Sequence, residues 1–364
     1  MLNTLFSLFC VDCGAELPPL EGTALDCPGC SRQYRALLGI LDMRQFSPPY
    51  LSLETDWKHA QELCDHFDEM DFHSLVQFKY DRLYPHLDPA IRKKDVDDRV
   101  SRLALSRYRF QIVGDVANLA GYAFRSHGTA LDIGCGTGPF TAVLAEHMDS
   151  IVGVDISLEE LVLARKRLDE MGFQHVQLVA CCAEKLPFGK DAFDFTHAMD
   201  VIEHVRDPKE TIQEAYRVTR SDGFLSFNSP NRYDLLTPEP HVNIRFVGFL
   251  PRKLQEPYVR LLSGREYKGK RLLSLGELNR ILEGCVSGLL GMEFRIFHWY
   301  LLDPRAGGHR FIGKAIRVVP GLTRLLNRAW GYLVNNHEII VYTSEASLSP
   351  HIIPAEYGVE RPAI

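Results

Sequence analysis

Three things are scarce or missing in this 364-residue chain. No apolar run approaches the ~20 residues that a bilayer-spanning helix needs, which excludes an integral membrane helix. There is no basic excess: 41 Lys and Arg against 47 Asp and Glu leave a net charge of −6. That balance argues against a dedicated nucleic-acid surface and leaves room only for a local basic patch. Nine cysteines, an odd count, do not make a disulfide framework. Four sit in C-x-x-C pairs and five (Cys64, Cys135, Cys181, Cys182 and Cys285) are scattered, a usage that predicts a reducing cytoplasm. The opening Met1-Leu2-Asn3-Thr4-Leu5-Phe6 lacks a basic n-region, so no signal peptide is expected. The remaining composition is that of an ordinary soluble globular protein, long enough for one large domain and a smaller appendage.

What the chain does have is one dense motif. Leu131-Asp132-Ile133-Gly134-Cys135-Gly136-Thr137-Gly138 reads as a buried parallel strand closing on an acid, then a turn of three alternating glycines. Glycine tolerates positive φ and lets a ligand approach the backbone closely. A helix is predicted over Phe140 to His147, with the N–H groups of its first turn facing the ligand. Ile151-Val152-Gly153-Val154-Asp155 is a second apolar strand, ending on a carboxylate placed to bind both hydroxyls of a ribose. The G-x-G-x-G spacing alone is weak. Joined to the second strand and its acid, it points to a nucleoside-containing cofactor.

Ahead of this motif, Cys10-x-x-Cys13 and Cys27-x-x-Cys30 are separated by thirteen residues. Each pair can sit on a tight knuckle with both thiolates turned to one tetrahedral metal. The spacing predicts a structural Zn²⁺ held by all four, with disulfides or idle thiols as the alternative. A segment this short builds little core, so the metal would supply much of its folding energy. Residues 1–45 are therefore read as a small zinc ribbon and 46–124 as a linker and N-terminal helices, with helical periodicity over 57–85 and 98–124. The main domain is expected over 125–345, and a loosely ordered tail over 346–364.

Within the main domain strands and helices alternate: helix Leu158–Gly172, strand Val176–Cys181, strand Ala192–Met199, helix Pro208–Thr219, strand Phe224–Asn228. This order predicts a doubly wound parallel α/β sheet with ligands beyond the carboxyl ends of the strands. Asp155, Glu184, Asp200, Glu203, His204 and Asn231 all fall at those ends. Insertions are expected at about 233–274, Pro-rich and of lid or substrate-binding type, and at about 303–336. A helix is predicted from Leu275 to Glu283, and the last two strands at Glu293–Leu301 and Glu338–Thr343. Residues 309–334 interleave Lys314, Arg317, Arg324 and Arg328 with apolar side chains. They read either as a helical insert packed on the domain or as a peripheral contact with the inner face of a membrane.

Together the glycine loop, Asp155, Ala183-Glu184-x-Leu186-Pro187-Phe188, Phe193-Asp194, Glu203-His204-Val205 and the Gly223 turn resemble the class I S-adenosylmethionine-dependent methyltransferases. The resemblance covers about residues 100 to 343. Asp200-x-x-Glu203-His204 and Ser229-Pro230-Asn231-Arg232 look closest to the ubiquinone-biosynthesis O-methyltransferase-like branch, and the cysteine segment resembles the zinc ribbons found before bacterial methyltransferase domains. The resemblance implies a Rossmann-like, seven-stranded sheet with helices on both faces. It also implies roles. Gly134, Gly136 and Gly138 pass close to the methionine part of S-adenosylmethionine, Asp132 orients the loop or the amino group, and Asp155, with Ile156 beside it, takes the ribose. Ala183 offers its N–H to adenine, Met199 touches the cofactor, and Arg109 meets the methionine carboxylate. Many relatives carry an aspartate where this chain has Cys182, which leaves Glu184 as its substitute at the adenine amino group.

The implied reaction is in-line attack on the sulfonium methyl, with the protein supplying alignment and exclusion of water. His204 is the candidate base for an alcohol or phenol acceptor. A second route holds a divalent metal on Asp200, Glu203 and His204, lowering the hydroxyl pKa. Asn231, His241 and Glu239 are candidates for substrate contact. The expected partner is a small-molecule, quinone-like, glycan or lipid-linked acceptor. RNA methylation is the competing reading, disfavoured by the charge and by the lack of an Asn/Asp-Pro-Pro-Tyr motif after the fourth strand. A cofactor-binding partner protein without turnover is the third.

Overall fold

The computed structural model describes residues 6–119, 128–235, 237–285 and 337–342. The cysteine segment folds first in chain order. β1 (Ala24–Asp26), β2 (Gln33–Leu37) and β3 (Ile40–Asp42) form an antiparallel meander, its last turn passing through Leu38 and Gly39 at positive φ. The sulfurs of Cys10, Cys13, Cys27 and Cys30 all lie within 4.8 Å of one another. The short separations cross between knuckles, Cys13 to Cys27 at 3.5 Å and Cys10 to Cys30 at 3.7 Å. These are too long for a disulfide, which needs ~2.05 Å, and they turn all four sulfurs toward one point. The Tyr34 hydroxyl donates to Cys10 Sγ at 3.0 Å. Burial opposes ionisation of that thiol, but Tyr34 and the N–H groups of the knuckle outweigh it and lower its pKa to about 6.

The helices that follow are α1 (Leu53–Asp65), α2 (Phe72–Phe78) and α3 (Pro89–Leu119). The continuous helix expected over 57–85 is interrupted because Asp71 starts a new one, its carboxylate accepting the Ser74 N–H at 2.7 Å. The main sheet is built from β4 (Thr129–Ile133), α4 (Pro139–Ala145), β5 (Ser150–Asp155), α5 (Leu158–Glu170), β6 (Val176–Ala180), β7 (Phe193–Met199), α6 (Pro208–Val218) and β8 (Thr219–Ser229). α7 (Arg252–Ser263), α8 (Leu275–Cys285) and β9 (His337–Tyr342) complete it. The strand order is β1-β2-β3-β6-β5-β4-β7-β8-β9, with β4 to β8 parallel and β9 antiparallel to β8. The order reverses at β4, between β5 and β7, so the crevice for a ligand opens there.

Both faces of the central strands are apolar, as buried parallel strands require. Leu131, Ile133, Val152, Val154 and Val179 pack with Ile212 and Ala215 of α6 and Leu278 and Leu282 of α8. Ala130, Ile151, Leu178 and Ala180 pack on the other face with α1, α4 and α5. The cysteine segment joins the first of these cores: Leu8, Leu17, Leu25 and Tyr34 are buried with Leu186, Phe188 and Phe193. Its strand β3 pairs in parallel with β6, Leu41 opposite Val179 and Asp42 opposite Ala180. Sheet and core thus run on through the region around residue 45. The expected strand Glu293–Leu301, the basic segment 309–334 and the tail lie outside the described residues. Among the described residues no helix is long and apolar enough to cross a membrane.

Candidate active site

The cofactor half of the site is a property of the β4–α4 turn. Gly134, Gly136 and Gly138 adopt φ of 71°, 52° and 74°, a left-handed path that side-chain-bearing residues avoid. A Cβ on Gly134 would lie 2.2 Å from Val201 Cγ2, while one on Gly136 would meet nothing within 4 Å. The open side of the loop is therefore at Gly136. Its N–H donates to Asp155 Oδ2 at 2.8 Å, and the Ser157 N–H donates to Asp155 Oδ1, also at 2.8 Å. Burial raises the Asp155 pKa to about 6 against these two bonds. Asp132 is buried, its pKa raised to about 7 by desolvation, and accepts the Thr141 hydroxyl at 2.6 Å. That bond fixes α4 on the end of β4. Thr141 carried no signal in the sequence beyond its place in the following helix.

Arg109, reached from α3, does come to the end of β7. Its guanidinium contacts the Met199 sulfur and lies 3.6 Å from Asp200 Oδ2. Ala183 is half-buried just past β6. Glu184 Oε1 accepts the N–H of Arg206 at 2.7 Å and of Asp207 at 3.4 Å. Those donors precede α6, and local sequence pattern does not reveal them. Cys182 points its sulfur at the Phe46 carbonyl, 3.8 Å away.

The acceptor half gathers around His204. Its Nε2 faces His241 Nε2 at 3.0 Å, the two rings meeting edge to face. The outer nitrogen of each ring is tied off. His241 Nδ1 sits 2.5 Å from Glu239 Oε1, which also accepts the Tyr267 hydroxyl at 3.2 Å, and His204 is bonded to the backbone of Gly269. Desolvation, helped by His241 and Lys270, lowers the His204 pKa to about 4, so the ring is neutral at pH 7. Glu203 is 1% exposed. Its Oε2 accepts the Ser229 hydroxyl at 3.1 Å, while Oε1 has no hydrogen-bond partner. Burial, with Asp200 nearby, raises its pKa to about 8. Ligand atoms of Glu203, His204 and His241 lie within 4.8 Å of one another.

Asp200 stands apart from that group. Its backbone is left-handed (φ 55°), and its partly exposed side chain is directed to Arg109. The side chain that the structure groups with Glu203 and His204 is His241, from the insertion. Asn231 is buried in a turn, its Oδ1 accepting the Tyr233 N–H at 3.0 Å. Tyr50, outside the sequence reading, sets its ring edge-on to His204 at 5.9 Å. The carboxylates of Asp155 and Glu184 are also near enough to help hold its phenol above the ordinary range, after desolvation.

Residues 131–227 match the methyltransferase domain family. The chain is 31% identical over 174 residues to a ubiquinone biosynthesis O-methyltransferase of Nitrosomonas europaea, covering 46% of this chain and 68% of that protein. It is 30% identical over 145 residues to the methyltransferase YcgJ of Bacillus subtilis, covering 40% and 55%. The chain thus spans about half to two thirds of the length of these curated relatives. Among solved structures, a Haemonchus contortus phosphoethanolamine N-methyltransferase 2 with bound S-adenosyl-L-methionine aligns at a TM-score of 0.42. The alignment has 17% identity and covers 63% of this chain and 52% of that one.

Proposed function

Because this chain belongs to the class I S-adenosylmethionine-dependent methyltransferases, we propose that it methylates a hydroxyl of a small-molecule, quinone-like or glycan acceptor. The cofactor supplies a methyl group made electrophilic by its sulfonium sulfur. The chain supplies the rest. Gly134, Gly136 and Gly138 admit the amino-acid end close to the backbone, Arg109 offers a cation for its carboxylate, and Asp155 accepts the ribose hydroxyls. The observation that carries the oxygen-acceptor reading is the Glu203–His204–His241 group at the mouth of the same crevice. Kept neutral by burial and oriented by Gly269, His204 would take the proton of a hydroxyl on Nε2 as the methyl arrives, with the acceptor displacing His241 from that nitrogen. Incubation with methyl-labelled S-adenosylmethionine and a panel of phenol, quinol and sugar acceptors tests the reading. It fails if the cofactor binds and no oxygen acceptor is labelled.

A second reading of the same group is supported by the way its histidines are held. Metal-ligating histidines donate one ring nitrogen to a carboxylate or a carbonyl and present the other to the ion. His241 against Glu239 and His204 against Gly269 follow that pattern, and their Nε2 atoms, 3.0 Å apart, would turn to the ion beside Glu203. Glu203, His204 and His241 would then hold a divalent ion, which lowers the pKa of a hydroxyl it contacts. Loss of activity on chelation, with restoration by Mg²⁺ or Mn²⁺, favours this reading over the unaided base. The four converging cysteines we read as a structural zinc ribbon, their set being closed to any further ligand.

A further inference from the structure

The cysteine ribbon has no part in the chemistry above, yet side-chain bonds run from its knuckles to the ribose-binding turn. In the first knuckle, the Val11 carbonyl and Asp12 Oδ1 accept from Gln45 Nε2 at 3.0 and 3.1 Å. Arg32, two residues past Cys30, donates to Asp12 at 2.8 Å and to the Arg44 carbonyl at 2.9 Å. Arg44 leaves the end of β3 with its side chain fully buried. Its guanidinium donates to both Asp42 oxygens (2.8 and 2.9 Å), to Asp56 Oδ2 (2.5 Å) and to the Ile156 carbonyl (2.9 Å). Asp56, also fully buried, accepts the Ser157 hydroxyl and the Leu158 N–H, each at 2.8 Å. The Ser157 N–H is one of the two donors that hold Asp155. One step further on, the Arg206 guanidinium stacks at 4.0 Å on the ring of Phe46, whose carbonyl faces Cys182.

A buried ion pair is a poor way to add stability, since desolvation offsets much of the attraction. A planar guanidinium with each edge engaged is, however, a good way to fix geometry. Arg44 joins the end of β3 to the one turn whose position decides where the Asp155 carboxylate points. We infer that the ribbon is part of the cofactor-binding machinery, Arg44 and Asp56 being positioning residues for the Asp155-Ile156-Ser157 turn and the knuckles holding Arg44 in place. The inference rests on Asp155 being the ribose-binding acid of the proposed function.

Calorimetric titration of the full chain with S-adenosylhomocysteine tests it. Arg44→Lys keeps the charge and loses the fork, and is expected to raise Kd by at least ~10-fold. The surface pair Arg32→Ala/Gln45→Ala is expected to raise it about 3-fold, with the acceptor KM unmoved. In an Asp155→Asn background Arg44→Lys adds nothing further to Kd, because both act through one interaction. A lowered melting temperature with an unchanged Kd, or full additivity with Asp155→Asn, overturns the inference. Should Arg44→Lys fail to fold, the surface pair decides alone, and an unchanged Kd there also overturns it. Wild-type protein that takes up no S-adenosylhomocysteine defeats the parent reading as well, whereas wild-type uptake with unmoved variants defeats this one only.

Discussion

A single methyl group added in the glycine loop separates backbone strain, steric overlap and ligand exclusion. At Gly134, φ of 71° costs an L-residue ~1–2 kcal/mol. The new Cβ also lands 2.2 Å from Val201 Cγ2, an overlap of the kind that costs ~1–3 kcal/mol when a packed neighbour must shift. Gly134→Ala should therefore lose ~2–5 kcal/mol of stability. Gly172 provides the control. It closes α5 at φ 78° with nothing within 4 Å, so Gly172→Ala carries the backbone part alone, ~1–2 kcal/mol. Adding Val201→Ala to Gly134→Ala recovers the difference, less the small cavity it opens. Gly136→Ala, at φ 52° and facing open space, should melt like Gly172→Ala. It nevertheless puts its methyl where the cofactor passes, and should weaken S-adenosylhomocysteine binding by more than ~10-fold. Denaturant unfolding read beside calorimetric binding checks all four variants. The reasoning is refuted if Gly134→Ala is no less stable than Gly172→Ala, or if Gly136→Ala binds the ligand as wild type does.

The remaining predictions concern the acceptor half and the ribbon. The neutral form of His204 is needed whether it takes a proton or binds an ion, so kcat/KM should rise with pH through about 4 and be flat on that side by about pH 6. His241→Ala opens the pocket to water and relieves the desolvation of His204, so this acid limb should move up, with kcat falling ~100-fold and cofactor Kd unchanged. An unmoved limb would show that His204 is not the group titrating. The folded pKa of Glu203, about 8, lies above the ~4.3 of an unfolded glutamate. Its contribution to stability is therefore complete below that value and is lost as pH rises toward 8. In chelator-treated protein Glu203→Gln should remove that loss, its gain over wild type being larger at pH 8 than at pH 5 by more than ~1 kcal/mol. Equal unfolding curves at both pH values would contradict it. Cys13→Ser should abolish stoichiometric zinc by elemental analysis, and a variant that keeps its zinc would remove Cys13 from the ligand set.

Glu203, His204, His241 and Glu239 were each legible as candidates in the sequence, and why their grouping was not comes down to how far apart in the chain the partners lie. Each central strand announces itself by apolar residues on both faces, and the Gly134–Gly138 turn carries its conformational requirement in its own letters. Asp155 ends the very next strand, and the loop's N–H groups meet it by local geometry. The acceptor group has no such local rule. A spacing of three between Asp200 and Glu203 brings side chains together on a helix, but Asp200 sits at φ 55° where β7 ends, and no helix follows until Pro208. The side chain that does join His204 comes from 37 residues later, out of an insertion whose only marks were prolines, basic residues and a histidine. The contacts of Glu184 and of the ribbon were hidden in the same way: their partners, the N–H groups of Arg206 and Asp207 and the edge of β6, lie in other elements and leave no periodicity behind. Ile40–Asp42 is too short to read as a strand at all, yet it carries the chain into the main sheet. The division has a chemical consequence. Glu203 and His204 come from the turn that follows β7, whereas His241, Glu239 and Tyr267 come from the insertion. On the proposed function, acceptor recognition and proton handling would be built by the same loops, and exchanging residues 233–274 for those of a relative should change both together, leaving S-adenosylhomocysteine affinity unaltered.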